Sequence, residues 1–437
     1  MIIVDRALKR RAEEGNPVRV GLIGSGFMGR GIINQIVNYV PGMKLVAVAN
    51  RHAERAANAC REAGIEDIRQ VVTLGALEDN LYTPGEHITV TDDATLLCQA
   101  QGIDALIEAT GTIEFAAGVV LEAIVHSKHV LLMNAELDAT LGPILKTYAD
   151  RAGVILSGTE GDHPGVQMNL YRFVCGLGMT PLLCGTVKGL YDPLRTPSTQ
   201  QAYAETWGQQ PHMVTSYADG TKMSFEQASV ANATGMTVAQ RGMLGHTFHH
   251  PAEEATGLFD AEALERLGGV VDYLVGAQPN AGVFVYAKAA TPAQRPYLSY
   301  LKLGEGPLYC FTTPYHLCHM EVPFSVARAV LFSDAVMAPL GAPTVEVVAV
   351  AKRDLKAGET LDGIGGYLTY GVCERARVSL EQALLPMGLA GDCRLLRDIP
   401  QHKAISYADV ILPEGRLSDR LRTEQNAAFS QQIAGGR

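Results

Sequence analysis

The sequence is short of several things, and each shortage narrows what the chain can be. Basic charge is one: 36 Lys and Arg face 46 Asp and Glu, for a formal net charge of -10 and a pI near 5.7. Nucleic-acid partners need a concentrated basic face, so none is expected. Long apolar runs are a second, because no stretch approaches the roughly 20 uninterrupted residues of a membrane-spanning helix. No membrane partner is expected either. The start of the chain, with charged residues from Lys9 to Glu14, lacks the basic-then-apolar pattern of an export signal. The expected location is therefore cytoplasmic. Paired cysteines are a third: the eight cysteines (60, 98, 175, 184, 310, 318, 373 and 393) include no Cys-x-x-Cys. They read as reduced, buried and structural.

What is present is an ordinary globular composition, 47% apolar and 19% charged. The length of 437 residues suggests about two to three domains. The first half alternates short apolar runs with helical patterns: 18–23 then 28–40, 45–48 then 53–63, 105–107 then 114–125, 130–133 then 141–152, and 154–156. Continuous apolar strands separated by helices predict an α/β fold, a Rossmann doubly wound parallel sheet covered on both faces. The segment 69–90, with Gly75, Pro84 and Gly85, reads as a loop excursion from it. The alternation ends after Gly158. We expect the nucleotide domain over 1–157, a central α+β catalytic domain over 158–343, and a small β-rich domain and tail over 344–437. A helix over Ser325–Met337, closed by Pro339, is expected to pack on the first domain.

Between the first strand and the first helix stands Gly24-Ser25-Gly26-Phe27-Met28-Gly29. A Gly-x-Gly-x-x-Gly in that context fits a dinucleotide. The first glycine makes a tight turn, the second lets backbone approach the pyrophosphate, and the third packs helix on strand. The free amides of the helix N-terminus then face the phosphates. NAD enzymes usually end the second strand in a carboxylate for the ribose hydroxyls, but here the residues are Asn50 and Arg51. A guanidinium without a carboxylate suits a 2'-phosphate, so NADP(H) is the expected cofactor, clamped by Arg51 with help from Arg55. Ala109, Thr110 and Gly111, with Asn134 and Glu136, close later strands at the carboxyl edge where ligands of open sheets collect. They are the expected neighbours of the nicotinamide half.

With Gly24–Gly29, the Ala109-Thr110-Gly111 strand end and Met133-Asn134-Ala135-Glu136, the first domain resembles the nucleotide domain of homoserine dehydrogenases. Glu136 stands where those enzymes carry Lys, which points away from homoserine as substrate. The C-terminal stretches Lys352-Arg353-Asp354-Leu355-Lys356-Ala357-Gly358, Leu385-Pro386-Met387-Gly388 and Arg397-Asp398-Ile399 resemble a SAF domain. Together the two halves resemble the bacterial 1-deoxy-D-xylulose 5-phosphate reductoisomerase-like family. That resemblance implies NADPH, a divalent cation (Mg or Mn), a homodimer, and conversion of 1-deoxy-D-xylulose 5-phosphate to 2-C-methyl-D-erythritol 4-phosphate in isoprenoid precursor synthesis. The implied partner is a phosphorylated sugar.

Carbonyl reduction needs a cation or acid beside the developing alkoxide. Lys188, at the end of an apolar run and followed by Asp192, fits that need, as does Lys222 in a turn opening a helix, with Ser224 as its cap. Glu226 falls one turn beyond Lys222 on the same face. Asp162 and His163 follow the expected domain junction; His163 is an acid or a helix cap. Arg195, Thr196 and Ser198 lie in a Pro-bounded loop suited to a phosphate, and Asn232 completes the candidate substrate set. A structural role remains open for each of these residues. The metal ligands stay unknown: neither the group Cys310, His316, Cys318, His319 and Glu321 nor the histidines 246, 249 and 250 has a zinc spacing. Asp192 or Glu226 would suit Mg or Mn. Two other readings stay open, an NADP-dependent dehydrogenase of a polyol or sugar acid and a non-catalytic NADP sensor.

Overall fold

The structure is a computed structural model and describes residues 3–435. The chain opens with helix α1 (Val4–Glu13) and then winds strand and helix in turn. The order is β1 (Val18–Ile23), α2 (Phe27–Tyr39), β2 (Met43–Ala49), α3 (Ala53–Glu62), β3 (Asp67–Gln70), α4 (Leu74–Tyr82), β4 (His87–Thr91), α5 (Ala94–Gln99) and β5 (Ala105–Glu108). It continues with α6 (Glu114–Val125), β6 (His129–Leu132), α7 (Ala135–Ala152) and β7 (Leu156–Gly158). Among the described residues these strands form one seven-stranded sheet, ordered β3-β4-β2-β1-β5-β6-β7, and all of its pairings are parallel. The doubly wound α/β fold expected from the apolar runs is what forms. The order reverses beside β1, so the carboxyl ends of β1 and β5 flank the switch point at which such sheets bind ligands.

The segment 69–90 differs from expectation. It carries β3, α4 and β4, which extend the sheet at one edge. Its glycines and prolines obscured a helix that Thr73 caps by accepting from the Ala76 amide. The strand β3 is only half-buried, as an edge permits, so its apolar signal was weak.

Next come α8 (His163–Gly176), β8 (Thr180–Lys188), α9 (Pro197–Trp207), α10 (Pro211–Ala218), α11 (Thr221–Thr234), β9 (His246–Thr247), α12 (Ala261–Arg266), β10 (Val270–Val275), β11 (Val283–Lys288), α13 (Arg295–Tyr300) and β12 (Tyr309–Thr313). The strands form a mixed sheet ordered β12-β11-β8-β10-β9. Helix α14 (Cys318–Phe332), a β-ladder of β13 (Val345–Ala351) with β14 (Thr369–Arg375), helix α15 (Ala376–Glu381), the short pair β15 (Arg394–Leu395) and β16 (Val410–Ile411), and helix α16 (Leu417–Gly435) complete the chain.

These elements gather into two compact units. One contains the chain up to Asp138, residues 144–162 and residues 317–338; the other contains 139–143, 163–316 and the chain from Pro339 on. In the first unit, α14 begins at Cys318, earlier than the Ser325 expected, and Pro323 lies inside it. It buries Val322, Val326, Ala327 and Ala329 among Val20, Ile32 and Ile36, and each fully buried aliphatic contributes about 1.5–3 kcal/mol. Arg328 fixes its far end through Glu160 at 2.7 Å and Asp334 at 2.6 Å.

In the second unit the C-terminal ladder is continuous with the central core. The Gly371 amide donates to Thr221 Oγ1 at 2.8 Å, and Ser224 Oγ donates to the Gly371 carbonyl at 3.0 Å. Ser224 is thus not the cap of α11, whose N-cap is Gly220 at φ 84°. A boundary at 343/344 would cut through these bonds. Among the described residues no helix is long and apolar enough to cross a membrane.

Candidate active site

In the first unit the Gly24–Gly29 turn is a backbone cradle. Gly24 has φ 102°, and a Cβ there would lie 2.7 Å from the Ala109 carbonyl oxygen, so β1 and β5 meet too closely for any side chain. A Cβ on Gly29 would lie 2.2 Å from the Gly24 carbonyl oxygen, which fixes how α2 leaves the strand. Gly26 is exposed, with open space where its Cβ would be, and it caps α2 with no side-chain hydrogen bond. The α2 amides are left to an outside anion, which is the geometry a pyrophosphate needs. Phe27 is half exposed and Met28 half-buried on the first turn of α2.

Around the cradle the side chains are ordered by one another. Asn50 donates to Ser25 Oγ at 2.8 Å and accepts from the His52 amide at 2.9 Å, holding the ends of β1 and β2 together. Arg51 and Arg55 are exposed. Glu108, fully buried at the end of β5, accepts from the Thr110 amide at 2.8 Å, from the Thr110 hydroxyl, and from Asn134 Nδ2 at 2.8 Å. Burial pushes its carboxyl above the usual range, against those hydrogen bonds. Asn134 caps α7 by accepting from the Leu137 amide at 3.0 Å, and Glu136 is buried in the first turn of that helix. Ala109 and Thr110 are thereby pinned, through Glu108, to the start of α7, and half-buried Gly111 follows them in left-handed backbone. Glu108 was not foreseen; its only sequence signal is a carboxylate ending an apolar strand.

In the second unit three of the expected catalytic residues meet. Lys188 ends β8, Glu226 lies in the second turn of α11, and His163 opens α8. Lys188 Nζ is 2.9 Å from Glu226 Oε2 and 3.4 Å from His163 Nδ1, and His163 Nδ1 is 3.5 Å from the same Glu226 oxygen. The His316 ring stacks on His163 at 3.8 Å between centroids, and its Nδ1 lies 3.0 Å from the Ala281 carbonyl. Burial would raise the Glu226 carboxyl, but the charges of Lys188, His163 and Lys222 hold it well below its ordinary value. Burial and the Lys188 charge lower His163, against the opposing pull of Glu226. Buried Gln167 and Gln227 bind each other at 2.7 Å and tie α8 and α11 together, while Gln227 also donates to carbonyls of β8 and β10.

Other expected residues are used elsewhere. Lys222 lies one turn before Glu226 and acts on it through charge. Asp192 turns away from the cluster to bind Arg195 at 3.0 Å and the Leu194 amide at 3.1 Å. Thr196 caps α9 in a capping box, and Ser198 Oγ lies 2.9 Å from the Tyr367 hydroxyl. The loop composition that suggested a phosphate site thus serves turn and cap formation. Asn232 is buried, donating to the Val345 carbonyl and accepting from the Thr344 and Val345 amides. Its role in the structure is to hold β13. Asp162 is half-buried at the end of its segment in the first unit.

Among the described residues, neither the histidines 246, 249 and 250 nor the group from Cys310 to Glu321 forms a metal-ligand cluster. His246 instead packs edge-on against Phe259, and His250 against Phe248. His163 and Glu226 are metal-capable donors of the second unit, but the Lys188 ammonium already serves as the cation beside them. A divalent ion does not fit that pair with Lys188 in place.

A glycine cradle on a switch-point sheet is the arrangement of a dinucleotide-binding domain, and the chain also carries a half-buried ammonium beside a buried carboxylate and imidazole. Residues 18–132 match the family described as "Oxidoreductase family, NAD-binding Rossmann fold" (GFO_IDH_MocA), and residues 161–322 match "Oxidoreductase DRL, catalytic domain". The chain therefore carries a Rossmann domain, and the catalytic-domain match lies on the segment that follows it. Neither match extends past residue 322, so the SAF resemblance stays with its sequence motifs.

Three of the similar solved structures are the following. An NAD binding oxidoreductase of Klebsiella pneumoniae is 17% identical with a TM-score of 0.29, over 41% of this chain and 45% of that one. Scyllo-inositol dehydrogenase of Lactobacillus casei is 13% identical, TM-score 0.33, over 62% and 65%. Myo-inositol 2-dehydrogenase of Lactobacillus plantarum is 13% identical, TM-score 0.35, over 63% and 75%. The chain thus spans less than half of the Klebsiella pneumoniae protein it matches. No curated protein matches the chain.

Proposed function

We propose that the protein is an NADP(H)-dependent dehydrogenase of a small polyhydroxylated substrate, a polyol, sugar or sugar acid, and that Lys188 is its proton carrier. The observation that carries this reading is the Lys188–Glu226–His163 cluster, buried in the second unit. The dinucleotide, when bound, supplies or accepts the hydride. The protein's own part is the proton. Lys188 donates from Nζ to the developing alkoxide in reduction and takes the proton back in oxidation. Glu226 aims the lysine, and His163 is placed to receive or return its proton. Preference for NADP rests on Asn50, which brings no carboxylate to the ribose, and on exposed Arg51.

Reductoisomerase activity on 1-deoxy-D-xylulose 5-phosphate is a narrower reading supported by the family resemblance alone. The cluster provides for proton transfer alongside hydride transfer, whereas the divalent cation implied for a rearrangement does not fit beside Lys188. A homodimer belongs to the same proposal and is read by light scattering. The decisive assay follows NADPH oxidation and NADP reduction over a panel of polyols, sugar acids and 1-deoxy-D-xylulose 5-phosphate. Lys188→Met should lower turnover by about 10²- to 10⁴-fold while dinucleotide binding persists. Retained turnover in that variant would remove Lys188 from the mechanism. Turnover confined to the deoxyxylulose phosphate would replace the dehydrogenase by the reductoisomerase.

A further inference from the structure

One buried lysine that the proposed chemistry does not use ties together the loop leaving Lys188 and the helix carrying Glu226. Lys352 directly follows β13, and its side chain is 2% exposed. Its Nζ lies 2.8 Å from Asp219 Oδ2 and donates to the carbonyls of Arg195 and Gly366, each at 2.7 Å. Two of its protons thus go to backbone carbonyls, and its charge faces the Asp219 carboxylate. Asp219, 0% exposed, accepts through its other oxygen from the amide of Thr221 at 2.9 Å, the residue that opens α11. The loop after Lys188 is laid along the same segment. The Asp192 amide donates to the Ala218 carbonyl at 2.9 Å, and the Tyr191 ring lies so close to Gly220 that a Cβ there would come within 2.4 Å of it.

A buried ion pair is weak evidence for stability, because apolar groups of the same volume often serve as well. What an apolar pair would not supply is a fixed point with two directed hydrogen bonds and one ion pair on three separate stretches of chain. We infer that Lys352, with Asp219, is a positioning residue that sets the distance between Lys188 and Glu226 by holding the loop after β8 and the start of α11 on one ammonium. This gives the C-terminal region a part in the reaction, and it rests on the reading of Lys188 and Glu226 as the proton-handling pair.

Two variants of the full chain test it, Asp219→Asn, which keeps the side chain's shape and an acceptor for Thr221, and Lys352→Met/Asp219→Asn, which removes both charges. Each should keep dinucleotide affinity and melt within about 5 °C of the parent, yet lose kcat by on the order of ten- to a hundredfold with KM little changed. If the double variant does not fold, Asp219→Asn alone decides. A folded variant with kcat within about twofold of the parent overturns the positioning role. Lys188→Met separates the two failures: if it too retains turnover, the proton-carrier reading has fallen; if it alone is dead, only the role of Lys352 has.

Discussion

The dinucleotide cradle and the Lys188 cluster are built on opposite plans. In the cradle the binding groups are backbone amides, and what the sequence must provide is the absence of side chains at Gly24 and Gly29. The six residues concerned are contiguous, because one turn of chain makes the whole feature. In the cluster the working groups are side chains on three elements and one loop, and His163, Lys188, Glu226 and His316 meet only because β8, α8, α11 and the segment after β12 pack together. Backbone sites are written locally and tolerate little substitution. Side-chain sites are distributed, and their residues acquire character from burial and from one another.

The comparison can be broken by substitution, and the largest effect is expected at Gly29. Gly29→Val places a Cβ where only 2.2 Å separates it from a carbonyl oxygen. Dinucleotide affinity by fluorescence titration should fall about a hundredfold, close to 3 kcal/mol. Binding within twofold of the parent would mean that the cradle is not the site. Arg51→Ala comes next. Loss of a charge-assisted contact should weaken NADP by roughly tenfold and leave NAD as it was; equal effects on both cofactors would take the 2'-phosphate away from Arg51.

The smallest effect sharpens the other side of the comparison, and it is one of pH. Burial and the Lys188 charge lower His163 below the ordinary imidazole value of 6.5, with Glu226 opposing and His316 adding to the effect. Below pH 6.5 the unfolded chain protonates this residue before the folded one does. The stability it contributes is therefore fully present above 6.5 and is lost as pH falls from there toward the folded value. His163→Gln should flatten the slope of denaturation free energy in that window by up to about 1.4 kcal/mol per pH unit. An unchanged slope would show that the imidazole is not held neutral.

Legibility followed the same division. The parallel sheet was readable because buried strands such as Val18–Ile23 are continuous apolar runs, and the cradle because Gly-x-Gly-x-x-Gly sat between strand and helix. The edge strand β3 was missed, since Asp67–Gln70 is half exposed and has no apolar run to detect. Lys188, Glu226 and His163 could be named as types of residue at promising places, but nothing local distinguished them from Asp192, Ser198 or Asn232, whose polar atoms are spent on a turn, on the Tyr367 hydroxyl and on β13. Glu108 reads in sequence only as the end of a strand and His316 only as one of a group without zinc spacing, because their importance lies in what they touch, Thr110 and Asn134 for the one and the His163 ring for the other. Lys352 was noticed only as part of a C-terminal motif, because its partners Arg195 and Asp219 are remote in sequence.

Helix α14 imposes an order of assembly. Val322, Val326, Ala327 and Ala329 fill the core beneath β1 and α2, yet they are translated long after those elements. A nascent chain ending at residue 162 has all seven strands of the parallel sheet and a gap where this helix belongs. The dinucleotide unit can close its core only after residues 317–338 have left the ribosome. A gene fragment that stops at the apparent end of the Rossmann pattern would thus yield an incomplete domain, whereas one that splices 317–338 onto residue 162 through a short linker would restore its missing layer.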